Sequence, residues 1–452
     1  MSSANDAEFV GTTRDYALFR AVAFPFQLIP VRDAGTRANL ATGFFGAVSV
    51  GLVALMAGLA TGSRVSAVGA GAALAVSHTF WFLSVTAEVY TFNLTLVLAA
   101  FTSTALWWRT ARLTWLIAAA LFAGLALAHH ASGLLLAVAV LPLLLTGRGQ
   151  LSWGATTVAL AVWVGASLPY WLGVSGRLSS GAETLAALQL SAPGNVFFEA
   201  NPLREALKFL GYVGYNFAGI GLLLIVFGLY LAFRDRRIEL LAPITWAAIL
   251  IGGGITSSIP DKFNVYVMAY PSMAIVLGVA LAHVRATRPR VRSVGMTAAL
   301  LVLLCAGPVV TYGVTVWTSR QSGIDLVGAR DVPYRENAVY FLWPPKNGDY
   351  GPRRYASEAL SAALPDALVI ADYTLWRPLR FMQQVEGLRP DVEVVFVERL
   401  LREGVADAID QHIGVRPVYL ATNTPPAYYQ LDDVERTFEL ERTGVVYRVH
   451  RR

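Results

Sequence analysis

The sequence holds one cysteine, Cys305, so no disulfide can close within the chain. A lone thiol in an apolar run is ordinarily a packing residue. Charge is scarce as well: Asp, Glu, Lys and Arg make up 15% of the 452 residues, against 55% that are hydrophobic. That balance excludes a disordered chain. There is no P-loop, no Gly-rich dinucleotide fingerprint, no GxSxG, no HExxH, no fixed-period repeat and no low-complexity segment. Residues 1–16 are polar and lack the basic start and apolar core of a cleavable signal. The net charge of +6 comes from arginines in short loops between apolar runs. That is the pattern of membrane anchoring, and with no recognised motif beside it, nucleic-acid binding is excluded.

What the chain does have is apolar length, with a mean hydropathy of +0.52. A bilayer is crossed by roughly 20 apolar residues. Ten segments qualify: about 38–60, 65–84, 91–108, 113–129, 133–146, 153–173, 212–233, 238–257, 264–283 and 294–316. Alternate connections carry Arg64; Arg109 and Arg112; Arg148; Arg234, Arg236 and Arg237; and Arg285, Arg288, Arg290 and Arg292. By the positive-inside rule that side is cytoplasmic. The other turns, with residues 1–36 and everything after the last span, then face outward. The long external segment 174–211 ends in an amphipathic stretch, NVFFEANPLREALKFL, suited to a membrane surface or to packing.

After Val316 the pattern changes. Residues 317–355 read as a linker. From 356 onward, helical runs (SEALSAAL, LWRPLRFMQQV, LLREGVADAIDQ) alternate with β-branched ones (ALVIAD, VEVVFV, PVYLAT, VVYRV). Alternation of this kind predicts a small α/β domain with a mostly parallel sheet, outside the membrane. The expected organisation is an external N-terminal segment (1–36), a transmembrane domain (37–316), the linker, and an extracytoplasmic domain (356–452).

The chemistry-bearing residues gather in the outward turns. SHTFWFLSVTAEVY, residues 77–90, puts Glu88 and Tyr90 beside His78, Trp81 and Thr86. A carboxylate with aromatics and hydroxyls can bind a sugar or move a proton; Glu88 can equally be a helix-end charge favoured by the dipole. His129 and His130 close another span and are too few alone for a metal site. Asp261 precedes Tyr266 and Tyr270 and can act as ligand or as helix cap. Asp6 and Glu8 form a close carboxylate pair, apt for shared base duty or simply solvated. Asp372 ends the ALVIAD strand, where it can meet a ligand or cap the next helix.

Four segments taken together resemble a known family. They are SHTFWFLSVTAEVYTFN, LALAHHASGLLL, IPDKFNVYVMAYPSMAIVLG and PDALVIADYTLWRPLRFMQQVEGLRPDVEVV. The family is the protein O-mannosyltransferase-like one (domain of unknown function 2723), of the GT-C superfamily of membrane glycosyltransferases. The resemblance spans about residues 36–400. It implies a multi-pass protein of the cell (inner) membrane that moves a mannose-like sugar from a polyprenyl-phosphate donor to a protein or glycan acceptor hydroxyl on the outer face. It implies a catalytic carboxylate in the first external loop, here Glu8 or Asp6. Glu88, Tyr90, His129, His130, Asp261 and Tyr266 would then bind substrate, with Arg14, Arg20 and Lys262 as partners for the phosphate. Metal dependence is left open. The start departs from the family pattern. Asn5 stands where the Asp of an Asp-x-x-Glu motif is expected, and TTRDYALF lacks the histidine, glycine and prolines of the following run. The expectation is a shortened or diverged first loop with a further span encoded upstream. The rival reading is a non-catalytic receptor or scaffold; a transporter ranks last, because the spans carry almost no buried charge.

Overall fold

The computed structural model describes residues 16–146, 151–179, 188, 201–258 and 262–452. The chain divides into two compact units, Met1–Thr315 and Val316–Arg452.

The first unit is helical. Its elements are α1 (Ala17–Gln27), α2 (Ala34–Thr61), α3 (Arg64–Ala75), α4 (His78–Ser84), α5 (Tyr90–Thr110), α6 (Leu113–His129), α7 (Gly133–Leu145), α8 (Trp153–Ser179), α9 (Pro202–Asn216), α10 (Ile220–Arg234), α11 (Leu241–Thr256), α12 (Lys262–Tyr266), α13 (Tyr270–Thr287) and α14 (Val294–Ser322), which runs on into the second unit. All ten apolar segments are helical. Among the described residues, four helices are long and apolar enough to cross a membrane alone, or up to six if each bent pair is one span. Three expected spans are interrupted: 264–283 by the turn at 267–269 between α12 and α13, and two by sharp bends, with α3 and α4 meeting at 70° and α9 and α10 at 112°. Hydropathy runs unbroken through both bends, so the sequence reading drew them as single spans.

The breaks hold because their exposed backbone groups find partners, which an apolar medium requires. Asn216 Oδ1 accepts from the amide of Thr79 in the first turn of α4, at 2.8 Å. Tyr312 Oη donates to the carbonyl of Val76 at 2.9 Å and lies 3.5 Å from that of Asn216. One tyrosine of α14 thus ties both bends together. Gly219 takes φ +75° at the second bend, a left-handed conformation that a side chain would strain. Opposite it, a Cβ on Gly307 would stand 2.7 Å from the carbonyl oxygen of Ala218.

Large apolar side chains face outward on several helices: Leu172 of α8, Leu223 and Val226 of α10, and Val302 and Val310 of α14 are each more than 60% exposed. Apolar surface on this scale suits lipid rather than water. The protein is a multi-pass membrane protein.

The second unit carries α15 (Asn337–Leu342), α16 (Gly351–Ala362), β1 (Leu368–Ala371), α17 (Tyr373–Glu386), β2 (Glu393–Phe396), α18 (Val405–His412), β3 (Val418–Leu420), α19 (Leu431–Thr437), β4 (Phe438–Thr443) and β5 (Val446–Arg451). The sheet order is β2-β1-β3-β5-β4. β1 pairs in parallel with β2 and β3, while β5 runs antiparallel to β3 and β4. β1 is buried along its whole length, as a central parallel strand should be. The sheet is mixed: β4, absent from the sequence reading, forms a hairpin with β5.

The EGLRPDV stretch, among the most specific marks of the family resemblance, has a structural task. Gly387 (φ +68°) closes α17 in the left-handed conformation. Arg389 then reaches the C-terminal end of α16 and donates to the carbonyls of Leu360 (2.8 Å), Ala363 (2.8 Å) and Leu364 (3.1 Å). Asp391 grips the same guanidinium through both oxygens, at 2.8 and 2.7 Å. Arg389→Ala should destabilise the second unit by about 1–2 kcal/mol, since it strands helix-end carbonyls. Arg389→Lys should recover little, because an ammonium cannot form the fork. Hydrogen exchange of the α16 amides in the full chain measures both. The Arg389 guanidinium holds the Asp391 carboxyl down at about 2, below its ordinary 3.8. Its contribution is therefore complete above about pH 4 and is lost as pH falls towards 2.

Candidate functional site

α5 and α6 are joined by a short turn and run antiparallel, so the start of α5 and the end of α6 share one end of the bundle. The turn carrying Glu88 meets the histidines there. His129 Nε2 lies 3.4 Å from the carbonyl oxygen of Val89, to which it donates as Nε2–H. The ring is buried, and its Nδ1 has no hydrogen-bond partner among the described residues. Phe92 packs edge-on against it at 4.9 Å, and Tyr16 lies 5.4 Å away. Tyr16 also stacks on His130 at 6.3 Å. His130 Nδ1 accepts from the amide of Ser132 at 3.1 Å, with the Ser132 hydroxyl at 2.9 Å. Three chain segments, at Tyr16, Val89 and His129, thus converge.

Glu88 itself is exposed. Its main chain is fixed: the amide donates to Thr86 O at 2.7 Å, and the carbonyl accepts from Thr42 Oγ1 at 3.4 Å. Tyr90, half-buried, opens α5. Below the histidines lies a cavity of about 400 Å³ whose walls include Leu18, Leu127, His129, His130, Tyr170 and Arg177. Glu88 is not among its lining residues. Arg177 in the last turn of α8 adds a cation that the sequence reading did not single out.

A second polar group gathers around α12. Lys262 Nζ donates to Glu205 Oε2 at 2.7 Å, and Lys208 Nζ to Glu205 Oε1 at 2.8 Å. Lys262 and Glu205 are both buried, whereas Lys208 is half-exposed. Two ammonium groups on one carboxylate leave the trio one positive charge in excess. Tyr266 is fully buried against Phe209 (4.9 Å) and Tyr212 (5.9 Å), and its hydroxyl has no hydrogen-bond partner among the described residues. Asn93 lies between the histidine turn and the turn after α12. Its Nδ2 lies 3.4 Å from Ser132 Oγ and 3.9 Å from Met268 Sδ, two residues beyond Tyr266. The structure therefore brings His129, His130 and the Glu88–Tyr90 turn together, while Lys262 and Tyr266 belong to the separate group around Glu205. Arg20, exposed on α1, makes none of these contacts. Asp6, Glu8, Arg14 and Asp261 lie outside the described residues.

Glu205 was missed in the sequence. It read as one carboxylate on an amphipathic helix, and its partner Lys262 is 57 residues away. No group of three His, Cys, Asp or Glu side chains able to hold a metal occurs among the described residues.

In the second unit Asp372 is a helix cap. Its Oδ1 accepts from the amide of Thr374 at 3.0 Å, while Oδ2 accepts from Tyr429 Oη at 2.6 Å. Arg330 makes an ion pair with it, both groups being largely buried. Every side of the carboxylate is engaged in holding the domain.

Residues 14–153 match the family described as protein O-mannosyl-transferase TMEM260 N-terminal domain. None of the curated proteins matches the chain. Among solved structures, ArnT from Cupriavidus metallidurans bound to undecaprenyl phosphate is similar at 15% identity and a TM-score of 0.60, over 95% of this chain and 86% of that one. The apo state of the same protein gives 16% identity and 0.58, with the same coverage. An Archaeoglobus fulgidus oligosaccharyltransferase in complex with Zn and sulfate gives 12% and 0.49, over 96% of this chain and 64% of that one. The chain thus shares the fold of ArnT, and its residues 14–153 are similar to the protein O-mannosyl-transferase TMEM260 N-terminal domain.

Proposed function

We propose that this protein transfers a mannose-like sugar from a polyprenyl-phosphate donor to an acceptor hydroxyl at the non-cytoplasmic membrane face. The observation that carries the reading is the convergence of Tyr16, the Glu88 turn and the His129–His130 pair at one bundle end, within the segment that matches the family model. The likeness of the whole chain to a protein solved with undecaprenyl phosphate supports the donor class.

Roles follow from charge. A glycosyl centre becomes oxocarbenium-like as its bond to phosphate breaks, so a fixed carboxylate lowers the barrier; Glu88 takes that task. The leaving phosphate needs a cation, and Lys262 supplies it, held in place by Glu205. The aromatic wall of Tyr16, Phe92 and His129 keeps the imidazole pair oriented and excludes water. Asp6 or Glu8 takes the proton of the acceptor hydroxyl, and Asp261 is assigned to sugar binding. The purified chain given a radiolabelled polyprenyl-phosphate hexose and a hydroxyl-bearing peptide or glycan should release labelled acceptor. No transfer with any such donor sinks the reading and favours the receptor or scaffold.

The arginine asymmetry also sets the side. A C-terminal alkaline phosphatase fusion should be active, and a fluorescent-protein fusion exported by the same route dark. The reverse pattern would overturn the orientation and the site with it.

A further inference from the structure

The segment entering the α/β fold builds a cavity of its own. Val332 and Arg335 form a short antiparallel bridge, α15 follows, and the chain turns back through Gly348 to α16. The space enclosed is about 590 Å³, walled by Tyr334, Tyr340 and Trp343 with Arg335, Lys346 and Asn347. A second cavity of about 170 Å³ adjoins it, and Arg335, Tyr340 and Asp349 line both. Small-molecule sites are typically about 300–1,000 Å³.

The charges in these walls are balanced and already matched. Arg335 donates to Asn337 Oδ1 (2.9 Å) and Arg330 O (2.9 Å), and its guanidinium lies over Tyr340 (5.3 Å) and Phe341 (5.1 Å). Lys346 donates to the carbonyls of Tyr340 (2.5 Å) and Trp343 (2.8 Å), with its ammonium over the Tyr340 ring. Glu336 is paired with Arg320, and Asp349 accepts from the amide of Gly351 at 3.2 Å. Two cations face two carboxylates, each with an internal partner. An anionic or cationic ligand would have to pull one of them away. Burial already pushes the Lys346 ammonium down to about 8, so a further cation would be still less welcome.

A neutral ligand with flat apolar faces and many hydroxyls meets no such cost. We propose that this two-lobed cavity is a carbohydrate-binding site for a neutral oligosaccharide. One sugar ring packs on Trp343 in the larger lobe, with hydroxyls towards Asn347 and Asp349, and a neighbouring ring enters the smaller lobe past Tyr340. This binding does not depend on the proposed transfer chemistry.

The test is saturation-transfer NMR on the full chain in lipid nanodiscs, so that no sugar-headed detergent competes. The probes are mannobiose, maltose and a sulfated disaccharide. At least one neutral probe should bind saturably. Trp343→Ala should weaken it about tenfold, the loss of one stacking ring. Trp343→Tyr should retain most of the binding, and Asn347→Ala, on an exposed turn, should weaken it without touching the fold. The proposal is overturned if neither neutral disaccharide saturates, if Trp343→Ala and Asn347→Ala both bind like the parent, or if the sulfated probe binds more tightly than the neutral ones. Sugar transfer from a polyprenyl-phosphate donor, measured on the same samples, reports on the membrane unit alone, so the failure of one reading does not decide the other.

Discussion

Glu88→Gln should leave the protein folded and reduce sugar transfer by about 10²–10³-fold, the cost of removing one preorganised electrostatic group from a transition state. The substitution keeps the shape of the side chain and both main-chain bonds of the turn, from the amide to Thr86 and from Thr42 to the carbonyl. An exposed position away from a packed core contributes within about 0.5 kcal/mol to stability. Donor binding should change little, because the carboxylate matters most once positive charge develops at the sugar. Steady-state transfer against donor concentration separates the two: kcat should fall while KM stays near that of the parent. Transfer within threefold of the parent would make Glu88 a helix-end charge and move the chemistry elsewhere in the cluster.

Asp372→Ala should destabilise the second unit by about 3–5 kcal/mol, the range for removing one partner of a buried ion pair. Three groups lose their acceptor together: the guanidinium of Arg330, the hydroxyl of Tyr429 and the Thr374 amide at the start of α17. Arg330 would remain largely buried without a counterion. A domain of this size is held by about 5–15 kcal/mol, so much of that margin would be gone. Hydrogen exchange at Val369–Ala371 and Val418–Leu420 in the full chain should show the loss. Asp372→Asn keeps the helix cap but not the charge, and should fall between the parent and Asp372→Ala. Unchanged protection in both variants would mean that Asp372 is free for a ligand role.

Much of this architecture was legible because hydrophobicity is local. The apolar runs show where helices lie, and ALVIAD with VEVVFV announces a parallel pair. The bends at Ser77 and Gly219 were not legible, since composition is apolar on both sides and the partners that make a break tolerable, Asn216 and Tyr312, are distant in sequence. β4 was overlooked although FELERT alternates Phe438, inward, with Glu439, outward; its charges masked the period. At the candidate site the residue types were visible, and the alternation of arginines placed Glu88 and His129 on one face. Their meeting through the Val89 carbonyl depends on helix lengths and tilts that no local pattern encodes. Arg389 shows the converse. A motif that carries the family resemblance serves to close a helix end.

The bent pair α9–α10 has a consequence for the surroundings of the protein. Leu203, Leu207 and Leu210 project from α9 with more than half their surface exposed, while Glu205 points inward to Lys262. Such a leucine edge suits the headgroup–acyl boundary of a bilayer. One helix therefore presents leucines outward along one side and steadies a buried ammonium on the other. A bilayer pressing on the leucine edge would bear on the same helix that holds Lys262 through Glu205.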